Sequence, residues 1–316
     1  MYRVFVGPKQ KTIKNTNFFN ASITLIGNNK HNNIAFGNDI PFEFWNDDNN
    51  AREIEIYNRA LKNLTEDSEV MAYNPRLFSK CELPKNVKQI CKNSDKLLKI
   101  LDNKIETRKF FKNVVPMLDY YTISGKEFNY EKLKQISQNL IIQSPLGSGG
   151  AKTFFCNESN HKQIESILLP EQQYSISAYQ INNTSYTIYG MIGKEQIEVM
   201  PVAQQLFEVA NNIEWIDSTY NIEVQYKVKE KLIEYTTKVC KKIQNEGYRG
   251  IFNIDFISAN SELYLIETNP RFGGTISEID LLLKESDLPS IFDYNYRAFN
   301  NLEMPSMKRM KKSLFQ

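Results

Sequence analysis

Histidine is nearly missing from this sequence: His31 and His161 are the only two in 316 residues. The four cysteines, Cys81, Cys91, Cys156 and Cys240, show no C-x-x-C spacing, so the ligands that zinc prefers cannot be gathered into a set. Both histidines lie in polar stretches and are assigned no role. Neither sign of charge dominates, with 39 Lys+Arg against 37 Asp+Glu and a formal charge of +2. That balance excludes a global electrostatic pull toward nucleic acid or membrane, and the basic "MKRMKKSLFQ" near the end reads as a solvated tail. No apolar run approaches the ~20 residues that span a bilayer, and "MYRVFVGPKQ" is too short and too polar for a secretory core. Scattered free thiols fit a reducing compartment. The expectation is a soluble, cytoplasmic protein without nucleic-acid or membrane partners.

What is present is a chain long enough for two or three packed units. Short apolar runs, "YRVFV" and "SITLIG", alternate with asparagine-rich loops, and a helical pattern follows through Ile54, Tyr57, Leu61 and Leu64 before "EVMAY". This β, β, α, β order predicts an α/β unit over residues 1–93. The charged stretch "KNSDKLLKILDNKIETRKFFKN", with Ser94 as N-cap, reads as a helical bridge into a second unit. Up to residue 205 the chain is then rich in strands: "NLIIQSP", "KTFFC", "QYSISAYQI", "TSYTIYGMIG" and "IEVMPVA". Val228, Leu232, Tyr235, Val239 and Ile243 recur at helical spacing, and the helix is expected to stop at Gly247.

Two segments carry chemistry. The first is "IIQSPLGSGGAKTFF", a strand, a glycine cluster and another strand. The pattern G-x-x-x-x-G-K-[ST] fails on it twice, because Leu146 and Ala151 stand where glycine is required. Two readings stay open: a hairpin lid whose Gly147, Gly149 and Gly150 let backbone N–H groups close over phosphates, or a mobile hairpin tip with no ligand. The second segment is "YRGIFNIDFISANSELYLIETNPRFGGT". "IFNIDFI" alternates, with Phe252, Ile254 and Phe256 on one face and Asn253 and Asp255 on the other, and "LYLIETN" reads as its hairpin partner across the turn "SANSE". A register that sets Asp255 opposite Glu267, with Asn269 on the same side, places like charges together, which is costly unless a cation lies between them. Hard oxygen ligands of this number suit magnesium on a nucleotide triphosphate.

With "ETNPRFGGT" as its most specific piece, the chain resembles the ATP-grasp superfamily, in particular its carboxylate–amine ligases, over roughly residues 95–290. The resemblance implies an α/β fold in which an N-terminal Rossmann-like unit (1–93) precedes a two-lobed ATP-grasp fold: a small lobe with the glycine loop (94–205) and a large lobe with the metal site (206–316). It implies Asp255, Glu267 and Asn269 as ligands of Mg2+ or Mn2+ and Arg271 as the catalytic residue facing the transferred phosphate and acyl oxygen. Gly273, Gly274 and Thr275 join Arg271 in binding substrate. ATP is assigned to Lys104, Gln143, the loop residues Gly147, Ser148, Gly149 and Gly150, a hinge at Ile167 and Leu169 that meets adenine, and Gln173 at the ribose.

One departure stands out. The family's strand lysine on the α and β phosphates is replaced by Gln143, which can donate hydrogen bonds but brings no charge. Gln143 is expected to tune nucleotide binding, and Gln143→Lys to lower the KM for ATP. The function implied is an ADP-forming ligase that joins a carboxylate and an amine through an acylphosphate, with amino acids, peptides or carrier-bound acyl groups as substrates and a homodimer as an allowed state. No carrier or biotinyl segment is expected within the chain. A nucleotide-binding module without turnover and a phosphotransferase are the alternatives.

Overall fold

The alternating apolar runs at the start of the chain become a sheet whose neighbouring strands all run parallel. The computed structural model describes residues 2–7, 13, 16–23, 25–26, 40–41, 50–147, 149–150, 152–220 and 222–310. In it β1 (Tyr2–Val6) is flanked by β2 (Ala21–Ile23) and β5 (Ser68–Ala72), and β6 (Val87–Ile90) adds to β5, giving the order β2-β1-β5-β6. A separate parallel pair, β3 (Leu25–Ile26) and β4 (Ile40–Pro41), lies off this sheet. Helix α1 (Asn50–Leu61) buries Ile56, Tyr57, Ala60 and Leu61 against Val4, Val6 and Val70. The short α2 (Pro75–Phe78) starts at Asn74, whose side chain accepts from Leu77 N–H. His31 lies outside the described residues.

The charged bridge is two helices rather than one. Ser94 caps α3 (Asp95–Leu101), and Asn103 then breaks the run and caps α4 (Lys104–Phe110) by accepting from Ile105 and Glu106 N–H at 3.0 and 3.1 Å. Such a cap fixes the first helical residue, which here is Lys104.

The next sheet is antiparallel: β7 (Tyr121–Ser124), β10 (Gln173–Ala178), β8 (Leu140–Gln143) and β9 (Thr153–Cys156), in that spatial order. Helices α5 (Tyr130–Leu133) and α6 (His161–Ile167) cover it over Leu140, Ile142, Ile164 and Ile176. His161 stacks on Tyr130 at 4.8 Å between ring centroids.

The third sheet runs β14 (Ile213–Thr219), β13 (Ala203–Val209), β11 (Thr184–Ile192), β15 (Gly250–Ala259), β16 (Glu262–Asn269), with β12 (Ile197–Val199) on β11. Helix α7 (Tyr226–Asn245) packs Leu232, Val239 and Ile243, all fully buried, on one face. Each such side chain contributes about 1.5–3 kcal/mol relative to exposure. Gly247, at φ +88°, ends the helix as the sequence predicts, with Gly247 N–H on Gln244 O and Tyr248 N–H on Ile243 O, both at 3.0 Å. On the opposite face lie α8 (Ile276–Glu285) and α9 (Ile291–Phe299). They share a core with the first sheet through Phe5, Phe272 and Phe292, whose rings meet at 5.1 to 6.2 Å.

Sheet membership changes hands between Ala178 and Thr184. The boundary expected at 205/206 falls inside β13, whose residues Ala203 to Gln205 pair with β11 of the same sheet. The basic tail also differs from expectation up to residue 310: Met307 and Met310 are buried, and Met307 N–H donates to Glu198 Oε2 at 2.8 Å. Among the described residues no helix is long and apolar enough to cross a membrane.

Candidate active site

The hairpin β15–β16 closes through Asn260 and Ser261, both at positive φ, a tighter two-residue turn than the predicted "SANSE" loop. Its register sets Asn253 opposite Asn269 and Asp255 opposite Glu267, then Phe256 opposite Leu265, so Ile266 is the extra residue of a β-bulge. Strict alternation would put Leu263, Leu265, Glu267 and Asn269 on one face. The bulge sorts them. Leu263 and Leu265 join Phe252, Ile254 and Phe256 in the core beneath α7, while Glu267 and Asn269 stand with Asn253 and Asp255.

On that polar face the groups hold one another. Asn269 Nδ2 donates to Asp255 Oδ2 and to Asn253 Oδ1, both at 3.2 Å; Asn253 donates to Thr187 Oγ1 at 2.6 Å; Arg271 Nη2 donates to Asn269 Oδ1 at 3.0 Å. Asp255 is 9% exposed, and its Oδ1 has no partner. Burial, and then the Glu267 charge, raise its carboxyl above the ordinary aspartate range. An orphaned carboxylate oxygen facing a second carboxylate fits a hard divalent cation. Among the described residues no third acidic, Cys or His side chain joins them, so phosphate oxygens and water have to complete the coordination.

Lys104, only 5% exposed, is placed by its cap beneath the glycine loop: Nζ donates to Gly147 O at 2.8 Å and to Glu267 Oε1 at 3.1 Å. The loop itself spans β8 and β9, closed by Gln143 opposite Thr153 and by Ser144 N–H on Lys152 O at 3.1 Å. Gly149 O accepts from Trp215 N–H at 3.1 Å, and Gly150, at φ +83°, lies so near the third sheet that a Cβ there would sit 2.0 Å from Ile213 O. The loop is docked on the β13–β14 hairpin. Ser148 lies outside the described residues.

A cavity of about 750 Å3 opens between the three sheets, walled by Gln143, Gly147, Gly149, Gly150, Asp255, Glu267, Asn269, Arg271, Gly273, Gly274 and Thr275. Gly273 approaches Tyr189 so closely that a Cβ would lie 2.1 Å from the phenol oxygen. Thr275 Oγ1 lies 3.0 Å from Tyr189 Oη and accepts from Tyr220 Oη at 3.1 Å, just ahead of α8.

The predicted hinge is not in this wall. Ile167 and Leu169 are 47% and 60% exposed at the far end of the second sheet, where Leu169 N–H meets Tyr174 Oη, and Gln173 is the exposed first residue of β10. Strand β10 advances the chain roughly 17 Å from there. What reaches the cavity is Ala178, Tyr179 and Gln180. The sequence reading took the wrong end of an apolar strand; the polar "YQINN" at its other end was the available signal. It also missed Arg108, whose Nη2 donates to Gln143 Oε1 at 3.2 Å, and Arg76, which pairs with Asp102 in the wall formed by the first sheet's connections.

The glycine loop thus stands over paired carboxylates between two antiparallel sheets. A family model described as an ATP-grasp domain matches residues 101–275, more than half of the sequence, and the chain belongs to the ATP-grasp family. It is 25% identical over 206 residues to the arginine-specific large chain of carbamoyl phosphate synthase from Halalkalibacterium halodurans, covering 60% of this chain but 18% of that one. It is 27% identical over 152 residues to a D-alanine–D-alanine ligase of Fusobacterium nucleatum, covering 46% of this chain and 51% of the ligase. The chain thus spans a fifth to a half of these relatives. The biotin carboxylase domain of the Hydrogenobacter thermophilus 2-oxoglutarate carboxylase, solved with MgADP, ADP and bicarbonate, shares the fold at a TM-score of 0.68 and 14% identity, over 98% of this chain and 72% of that one.

Proposed function

We propose that this protein is an ADP-forming carboxylate–amine ligase that acts on small molecules. The observation that carries the reading is the polar face of β15–β16: Asp255 and Glu267 opposed, Asn269 and Arg271 beside them, and Lys104 joining Glu267 to the glycine loop. A triphosphate lying under that loop meets Lys104 and the backbone of Gly149 and Gly150, with adenine toward Ala178–Gln180 in place of Ile167 and Leu169. Magnesium held by Asp255, Glu267 and Asn269 would neutralise charge on the β and γ phosphates.

In the reaction proposed, a carboxylate oxygen attacks the γ-phosphorus and ADP leaves, forming an acylphosphate. The amine nitrogen then attacks the acyl carbon, the C–N bond forms, phosphate leaves with the electron pair of the C–O bond, and the amine's proton passes to solvent or phosphate. Arg271, a rigid fork of donors anchored on Asn269, is suited to hold phosphoryl and acyl oxygens together. Gly273 to Thr275, in the cavity wall at the start of α8, lie where the positive end of that helix would favour a carboxylate. The docked loop excludes water that would hydrolyse the intermediate.

Tyr73, Asn74 and Arg76 from the first unit line the same cavity, which supports a part for that unit in choosing the carboxylate or amine. Amino-acid-like or carrier-bound acyl groups are the classes this reading favours. Four thiols without a disulfide support a cytoplasmic site of action. The test is a screen of carboxylate and amine pools with detection of ADP, phosphate and amide. Release of ADP and phosphate only when both substrates are present is expected; AMP and pyrophosphate beside an amide overturn the reading.

A further inference from the structure

Among the described residues, Arg108 is a buried cation that no carboxylate pairs with. Arg108 is 2% exposed and yet forms part of the cavity wall. Its guanidinium donates to two neutral oxygens at the long end of the hydrogen-bond range, Gln143 Oε1 at 3.2 Å and Leu118 O at 3.4 Å, and lies 5.0 Å from the centroid of the Tyr120 ring. Its Nε has no partner. Among the described residues it takes part in no ion pair, and the carboxylate that comes nearest in electrostatic effect, Glu267, is held by Lys104 instead. Burial lowers the Arg108 pKa to about 10, which leaves the group charged at neutral pH. A desolvated charge of this kind is unfavourable unless a counter-charge meets it.

Its location says which counter-charge. Arg108 stands four residues after Lys104, so both project from one face of α4. Lys104 reaches the glycine loop at Gly147, and Arg108 reaches the end of β8 at Gln143, where that loop begins. The two cations bracket the stem of the loop.

We propose that Arg108 is a phosphate-binding residue of the nucleotide site, and that Gln143 is its positioning residue, turning the guanidinium toward the cavity through the Oε1 acceptor. The proposal rests on the reading of the cavity as an ATP site. A neutral side chain at 143 is then part of the design: a lysine there would set an ammonium against the guanidinium, so the positive charge enters from α4 in place of β8.

Calorimetric titration of the whole chain with MgADP, AMP and adenosine tests this. Arg108→Met is expected to weaken MgADP by about tenfold to a hundredfold, as for loss of a charge-assisted contact, and adenosine by less than about threefold. Arg108→Met combined with Gln143→Lys is expected to recover MgADP affinity to within about fivefold of wild type, while Gln143→Lys alone weakens it, the reverse of what the sequence leads one to expect, because Arg108 occupies that side of Gln143. A purely structural tie between α4 and β8 predicts the opposite: equal losses for adenosine and MgADP, no rescue by the double variant, and a lowered melting temperature that tracks the loss. Either that pattern or unchanged MgADP affinity in Arg108→Met overturns the proposal. If Arg108→Met loses its cooperative melting transition, Arg108→Gln carries the same comparison of ligands. A wild type that binds neither MgADP nor ATP overturns the underlying ATP reading, which the variant series leaves intact in the other outcomes.

Discussion

Two hairpins of one sheet invert the usual order of proteins in opposite ways. The β15–β16 hairpin buries polar groups, one of them a carboxyl: Asp255, Asn253 and Asn269 are each less than a tenth exposed. The β13–β14 hairpin exposes apolar groups: Leu206, Val209, Trp215 and Ile216 are 37% to 55% exposed. Buried polar groups and clustered exposed apolar ones are the two informative departures from hydrophobic sorting, and both hairpins face the same cavity. Under the function proposed, one departure answers to a ligand's charge and the other to the contacts of loop and substrate. Where both kinds of cost fall on one space, that space is the place to look for function.

The comparison predicts which side of the cavity governs what. The largest effect belongs to the buried charge: Asp255→Asn is expected to lower turnover at least about a hundredfold, near 2.7 kcal/mol of barrier. Without magnesium the same variant should be about 1 kcal/mol more stable to urea, because a desolvated like charge beside Glu267 is gone. A variant that keeps more than a tenth of wild-type turnover breaks the assignment of the polar face. On the other hairpin, Trp215→Ser should raise KM by about tenfold with kcat less affected, since the lost contacts serve bound substrate and docked loop alike. Its denaturation midpoint should hardly move, and a large fall in stability would mean that the exposed face is core after all.

The smallest effect sharpens the comparison with a buried carboxylate outside the polar face. Asp280 on α8 is 6% exposed, accepts from Ile291 N–H at 2.8 Å, and is pushed up to about 6, first by burial. The folded state therefore holds this proton more tightly than the unfolded one. Its contribution to stability is full below about pH 4 and is lost as pH rises toward 6. Asp280→Asn, which keeps an acceptor for Ile291, should stabilise the protein by about 1 kcal/mol at pH 8 and by almost nothing at pH 4, with turnover unchanged. Urea titrations at the two pH values check the sign.

How much of this could be read in advance follows from the range of the forces concerned. The α/β start, the helix ending at Gly247 and the pairing of "IFNIDFI" with "LYLIETN" rest on local periodicity and turn chemistry, and the structure has them. The bulge at Ile266 could not be read, because its cause is the competition of α7 for Leu263 and Leu265, a contact far away in sequence. The hinge was put at Ile167 and Leu169 because the chain's direction through β10 is a tertiary fact. Arg108 is one of several charges on its helix in sequence, and only the packing of β8 beside it sets it apart. The expected boundary at 205/206 lies inside β13, which resembles its neighbours in composition and differs only in the strand it pairs with.

Lys104 Nζ is bound at once to the carbonyl of Gly147 and to the carboxylate of Glu267, so it is shared between the glycine loop and a charged group. Groups sharing a proton donor are thermodynamically linked, and linkage is reciprocal. Any ligand that draws Lys104 from Glu267 changes how firmly Gly147 is held, and any force that lifts Gly147 changes the charge felt at Glu267 by the same free energy. If Glu267 holds a divalent ion as proposed, loop position and cation affinity are linked, and a fluorophore reporting on the loop is expected to titrate with that ion even before a nucleotide is added.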